Sequence, residues 1–313
     1  MILLLTGDNS FELERERQRI EADFSGHAEK IDGSLLELGQ LADLVLGMTL
    51  FSPERLIIIR SLSDNSLVWT ALSEWIDKVS SYTTIVLIEP QPDRRTKVYK
   101  ALLAHATVKN FSSWTDREVR TAQQWAITEA KERGFTLDTE SAAIIVRRSM
   151  LPGEKAGSAL IDQWRIDQAL TKLSVLDEVT PFIVEDVVEP SPLENVFDLL
   201  EAALNGNADK VRHMLLNLEL SVEPHGLFGL LGGQVFQLAI VSTTDIPTNS
   251  VAEAIGAHAY GPKRLHVHAA KRSRASIKKI VDAFCEADMA MKTSATEPWL
   301  LIERALLKVA IIK

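Results

Sequence analysis

"ILLLTGDNSFELERERQRI", residues 2–20, decides the class of fold. Four aliphatics, Ile2 to Leu5, run into a Gly-Asp-Asn turn. A charged stretch follows in which Asn9 can cap a helix and Glu12, three residues on, can return the bond. Strand, tight turn and helix in that order open a parallel α/β sheet. Two more short aliphatic runs support the reading, "LIIIR" (56–60) and "TIVLIE" (84–89). Continuous aliphatic runs of this length suit strands buried on both faces. Between them lie amphipathic stretches: "GSLLELGQLADLVLGM" (33–48), with Leu35, Leu38, Leu41, Val45 and Met48 near one helical stripe, and "SLVWTALSEWIDKVSSY" (66–82). "DRRTKVYKALLAH" (93–105) predicts another helix, before a last strand in "TVKNF" (107–111).

At Trp114 the pattern changes. Thr115 and Glu118 form a capping box for a helix that stops at Gly134, and no further strand is expected. Helices are expected over 137–150 and 157–176, and Thr180-Pro181 starts a short one with proline at its first position. "VVEPSPLENV" (187–196), with Pro190 and Pro192, reads as a linker. Beyond it helices follow almost without a break: 194–204 ending at Asn205-Gly206, 209–220, 226–241, the stretch 261–292, and 298–312. The expected architecture is α/β plus all-α: an α/β domain over 1–113, a small helical domain over 114–190 and a helical C-terminal domain over 191–313.

Composition narrows the function classes. The chain has 313 residues, more than one core usually holds, and 46% of them are hydrophobic. Cys285 is the single cysteine, so no intrachain disulfide can form, which suits a reducing compartment. The apolar start, Met1 to Leu5, is too short for a signal peptide or a membrane span, and a cytoplasmic protein is expected. A net charge of −9 argues against wholesale coating of nucleic acid.

Catalytic signatures are missing where they would be diagnostic. A phosphate loop needs G-x-x-x-x-G-K-[ST] after the first strand, so that backbone amides, a lysine and a hydroxyl can surround phosphates and a metal. Here the place reads "TGDNSFELER", Asp8 would repel a phosphate, and no Gly-Lys pair occurs in the chain. Gly226, Gly229, Gly232 and Gly233 do not follow a strand, and close helix packing is the expected reason for them. His266 and His268 point different ways on a helix and are expected at the surface or an interface, whereas Cys285 is expected in the core. No catalytic residue, cofactor or metal site is expected. One basic run, Lys263, Arg264, Lys271, Arg272, Arg274, Lys278 and Lys279, suits either a solvated helical face or contact with DNA or an acidic partner. The residues alone favour the solvated face.

"GMTLFSPERLIII" (47–59) leaves a second alternative open. It puts Leu50 and Phe51 on a turn, where a large apolar pair is either tucked into the core or offered to a partner. Taken alone, the buried "LIII" that follows favours the core.

"LLTGDNSF", "MTLFSPERLIII", "PDRRTKVYKALLAHATVKNF", "ENVFDLLEAALNGNADKVRHMLLNL", "HAYGPKRLHVHAAKRSR" and "EADMAMKT…EPWLLIERALLKV" together resemble the delta subunit of the bacterial DNA polymerase III clamp loader. The resemblance covers nearly the whole chain. It implies an AAA+-like N-terminal domain without ATPase activity, a small helical lid domain, and a helical collar domain that joins a ring of subunits. It further implies that Leu50 and Phe51, with Met48 beside them, bind the beta sliding clamp, so that its ring is opened for loading onto primed DNA. The implied partners are the clamp, the gamma/tau and delta-prime subunits and DNA within the complex, with no membrane. The chain would then be a non-catalytic subunit of a nucleotidyltransferase holoenzyme. An active AAA+ ATPase with an unorthodox loop is the alternative.

Overall fold

The aliphatic runs of the first third are strands of one parallel sheet. In the computed structural model, which describes residues 1–47, 54–153, 159–220, 222–244, 246–255 and 260–312, the chain divides into two units, Met1–Ser113 and Trp114–Lys313. The first unit alternates β1 (Ile2–Thr6), α1 (Ser10–Ala22), β2 (Ala28–Asp32), α2 (Gln40–Leu46), β3 (Arg55–Arg60), α3 (Ser66–Leu72), β4 (Thr83–Glu89), α4 (Lys97–His105) and β5 (Thr107–Asn110). Its five strands lie in the order β2-β3-β4-β1-β5, all parallel, with Leu4 opposite Leu87 and Val108 and Ile58 opposite Val86.

Residues alternate between two apolar layers even though the strands read as continuous aliphatics. Leu4, Ile57, Ile59, Ile85 and Leu87 pack with Leu41, Val45, Val68, Trp69 and Leu102 from α2, α3 and α4. Leu5, Leu56, Ile58, Val86 and Ile88 face the other way, where Leu13 of α1 meets them. α1 has few apolar residues to offer, and ion pairs supplement them: Glu14 with Arg60 (2.8 Å), Glu16 with Lys109 (2.6 Å) and Glu21 with Lys30 (2.6 Å). The Arg17 hydrogen bond pulls the Glu14 carboxyl down to about 2, and the Arg19 hydrogen bond does the same to Glu16, again to about 2.

In this unit two readings of the sequence change and one holds. β2 was not foreseen, because "AEKID" buries only Ala28 at the sheet edge and leaves its other residues wholly or partly in solvent. The helix expected over 33–48 is shorter: a 3-10 turn at Gly33–Leu35 precedes α2, and Leu35 and Leu38 are exposed instead of lining a stripe. Asn9 does cap α1, its Oδ1 accepting from the Glu12 amide at 3.1 Å.

The second unit holds β6 (Trp114–Thr115), α5 (Val119–Glu132), α6 (Thr139–Arg148), β7 (Met150–Pro152), β8 (Ala159–Ile161), α7 (Gln163–Leu173) and α8 (Pro181–Val187). After them come α9 (Pro192–Leu204), α10 (Ala208–Glu219), α11 (Pro224–Thr243), α12 (Thr248–Ala254), α13 (Tyr260–Ala269), α14 (Arg274–Thr293) and α15 (Pro298–Ile311). Strands therefore do return, as a small antiparallel sheet in the order β6-β8-β7; runs of two or three residues are too short to show a period. Two apolar cores form, one around Ala126, Ile145, Ile166 and Leu170, the other around Leu200, Leu231, Leu238, Leu265, Ile280 and Leu306. Among the described helices, α11 alone is long and apolar enough to cross a membrane; its Leu227, Leu231 and Leu238 lie in the second core, while Phe236 is exposed.

The stretch read as a linker is a packed joint. Ser191 is buried and caps α9, accepting from the Glu194 amide at 3.1 Å. The Glu194 carboxylate lies 3.2 Å from Arg147 Nε and 3.6 Å from Arg148 Nε. Arg148 also donates to the carbonyls of Glu185 and Val188, and Arg165 to that of Pro190. Residue-level expectations change here too. A Cβ added at Gly229, Gly232 or Gly233 would meet nothing within 4 Å, so close packing inside this chain does not explain those glycines. Cys285 is exposed, because the buried stripe of α14 runs through Ile277, Ile280, Phe284 and Ala287 and leaves position 285 outside it. His266 is exposed, whereas His268 is buried.

Candidate functional site

Every strand of the first sheet points the same way, so the sheet has one edge where strands end and one where they begin. At the first edge Gly7 follows β1 with φ +118°, a conformation glycine adopts without the strain a Cβ brings. Its N–H donates to Pro90 O (3.0 Å), and the Asn9 N–H donates to Phe111 O (3.0 Å). An added Cβ at Gly7 would fall 1.9 Å from that same Phe111 oxygen. The Ser113 N–H donates to the Asp8 carboxylate at 2.8 Å. After β3, Ser61 is left-handed with φ +55°, and the amides of Leu62 and Ser63 donate to the buried Glu89 carboxylate at 2.7 and 3.1 Å. Burial pushes the Glu89 carboxyl up, against the pull of those hydrogen bonds. Amides that a phosphate-binding loop would present to a ligand are thus bonded to the chain itself.

At the other edge lie the described residues that flank "MTLFSP" in the sequence. Met48, Leu50 and Phe51 lie outside the described residues, and the structure defines the base from which they emerge. The Gly47 N–H closes the last turn of α2 on Asp43 O (2.8 Å), and Leu46 beside it is 51% exposed. Across the base, the Arg55 N–H donates to Tyr82 O (2.9 Å). Its guanidinium reaches back to α2: Nη1 donates to Asp43 O (3.2 Å) and Gly47 O (3.0 Å), and Nη2 to the Glu29 carboxylate of β2 (2.9 Å). Sequence reasoning missed both Leu46 and Arg55. Leu46 falls outside the stripe read for its helix, and two of Arg55's acceptors are backbone carbonyls, which no residue pattern displays.

The basic run divides by position. Arg264 is bound internally, to Glu201 (2.8 and 2.5 Å) and Asp198 (2.7 Å) of α9, over the ring of Phe197. Burial raises the Glu201 carboxyl, but the Arg264 hydrogen bonds outweigh it and the net shift is down. Arg272 donates to the carbonyls of His268 and Leu204, at the ends of α13 and α9, and burial lowers its affinity for the proton. Burial also pushes the neighbouring His268 imidazole down. Lys263, Lys271 and Arg274 are exposed, as are Lys278 and Lys279, the former paired with Asp282 at 2.9 Å. Among the described residues no three His, Cys, Asp or Glu side chains converge as a metal site requires.

Comparison with known proteins places the chain. Residues 3–112 match the family model of the DNA polymerase III delta subunit, and residues 193–309 match the model of that subunit's C-terminal domain. The chain belongs to the DNA polymerase III delta-subunit family. The fold of this delta-family chain agrees with that of the Bacillus subtilis DNA clamp loader delta protein YqeN, at a TM-score of 0.53 and 20% identity over 99% of this chain and 95% of that one. Two mutant structures of Thermotoga maritima RuvB align less well, each at TM-score 0.40 and 13% identity, over 85% and 82% of this chain and 78% and 75% of theirs. No curated protein matches the sequence. The expected class, a parallel-sheet α/β unit followed by mainly helical structure, holds for this family member.

Proposed function

We propose that this delta-family chain is the clamp-opening subunit of a DNA polymerase III clamp loader, acting in the cytoplasm on the beta sliding clamp. The observation that carries the reading is the family match over both 3–112 and 193–309. Leu50 and Phe51 are the proposed anchors, with Met48 and the exposed Leu46 beside them. An aromatic and an aliphatic entering a preformed apolar pocket dominate small interfaces, each by about 2 kcal/mol or more. Opening the ring requires no chemistry from this chain. A binder with higher affinity for the open ring shifts the population by its differential binding energy.

Three domains are proposed, with boundaries at 113/114 and 190/191: clamp-binding, lid and collar. The collar would join the gamma/tau and delta-prime subunits, and the exposed Lys263, Lys271 and Arg274 would face primed DNA or a partner. Arg264 and Arg272 would contribute to that surface indirectly, by holding α13 against α9. We assign no ATPase activity to this chain; the self-bonded Gly7–Asn9 turn supports that assignment over the ATPase alternative. The test is surface plasmon resonance against the sliding clamp of the same source. The wild-type chain is expected to bind, and Leu50→Ala with Phe51→Ala to lose at least about 100-fold in affinity, with a melting temperature close to wild type. A large loss of melting temperature would return the pair to the core.

A further inference from the structure

We infer that Arg55 is a positioning residue for the clamp-binding segment, tying the two ends of its base together; the inference rests on the clamp-binding reading above. Three groups converge on one guanidinium: the carbonyls of Asp43 and Gly47, which are C-terminal acceptors of α2, and the Glu29 carboxylate on the neighbouring strand. Asp43 O already accepts from the Gly47 N–H, so the guanidinium is a second donor to that oxygen, and the negative end of the helix dipole favours a cation there. Arg55 is itself the first residue of β3 and hydrogen-bonds through its backbone to Tyr82. The position where the chain leaves α2 and the position where it rejoins the sheet are therefore fixed to each other by one side chain, which is only 15% exposed.

Gly47 is adapted to the same contact. A Cβ there would lie 2.2 Å from Asp43 O and 2.8 Å from Arg55 Nη1, displacing the guanidinium or unwinding the turn. The chemistry also discriminates against lysine. An ammonium on a flexible stem does not reproduce a planar fork that meets two carbonyls and a carboxylate at once. A segment whose ends are fixed before binding loses less freedom on binding, and that difference appears as affinity.

The experiment measures clamp affinity of the full-length chain, by surface plasmon resonance, for Arg55→Gln, Arg55→Lys and Gly47→Ala, each alone and combined with Leu50→Ala. Arg55→Gln is expected to weaken binding about ten-fold, Gly47→Ala by a similar factor, and Arg55→Lys by about three-fold. In the Leu50→Ala background the Arg55→Gln penalty is expected to shrink below about two-fold, because both changes then act on one contact. A general loss of structure would give instead the same penalty in both backgrounds, and that result overturns the inference. So does full affinity in Arg55→Gln while Leu50→Ala with Phe51→Ala has lost binding. If the Leu50 and Phe51 pair itself proves dispensable, the clamp-binding reading fails first and the inference with it. Should Arg55→Gln fold poorly, Gly47→Ala makes the same test from the other side of the contact.

Discussion

Where its strands end, the parallel sheet closes on itself: Gly7 is bonded to Pro90, Asn9 to Phe111, Ser113 to Asp8, and Leu62 and Ser63 to Glu89. Where β3 begins, the described ties gather instead at Gly47 and Arg55, which flank Leu50 and Phe51 in the sequence. Ligand sites of open α/β folds lie beyond the carboxyl ends of the strands. In this chain that edge satisfies its own polar groups, and the proposed partner contact sits at the other. The self-bonded turn and the proposed protein contact thus lie at opposite ends of one sheet, and can be changed separately.

The contrast breaks most readily at Gly7. Gly7→Ala would combine a φ of +118° with a Cβ 1.9 Å from Phe111 O, and is expected to cost more than about 3 kcal/mol. Chemical denaturation of the full chain should show that loss, with clamp affinity per folded molecule unchanged. Acid is the next largest perturbation. Glu14 and Glu16 are held at about 2, so the stability they contribute is fully present above their ordinary value of 4.5 and disappears as pH falls from there through about 2. The melting temperature should fall over that window, and Glu14→Gln with Glu16→Gln should flatten the fall. Asp8→Ala removes one acceptor from the Ser113 amide and is expected to cost about 1 kcal/mol, seen as a small shift of the denaturation midpoint.

Glu89 gives the smallest effect, of opposite sign. Its carboxyl is raised above 4.5, so its contribution is fully present below that value and is lost as pH rises through the raised one. Relative to Glu89→Gln, the wild type should therefore become less stable as pH increases past 4.5, by less than about 1 kcal/mol after the amide's poorer fit to Leu62 and Ser63 is included. Paired melting curves from pH 4 to pH 8 measure the difference.

The legible parts of the fold were those whose physics is periodic. β1, β3 and β4 could be read because both of their faces are buried, which leaves no polar residue to interrupt the aliphatics. β2 could not, since an edge strand with four residues open to solvent looks like a loop. The joint at 187–196 was misread for a related reason: its prolines suggest a linker, while the arginines that grip it lie more than twenty residues upstream. Cys285 and His268 were misplaced because one residue of helical phase, about 100°, separates the core from solvent. Leu50 and Phe51 stood out only as an anomaly, and family resemblance rather than periodicity attached a partner to them. Arg55 gave no signal, as the contacts that matter most to it are with backbone.

The place of β3 has a mechanical consequence. It is flanked by β2 and β4 and hydrogen-bonded to both along its length. A pull applied at its Arg55 end, along the strand axis, loads those two ladders in shear, and all of their rungs resist at once. Applied sideways at an edge strand, the same force would open the rungs one after another. Under the proposed function, the residues that would hold the clamp are therefore joined to an internal strand and not to an edge strand that opens rung by rung.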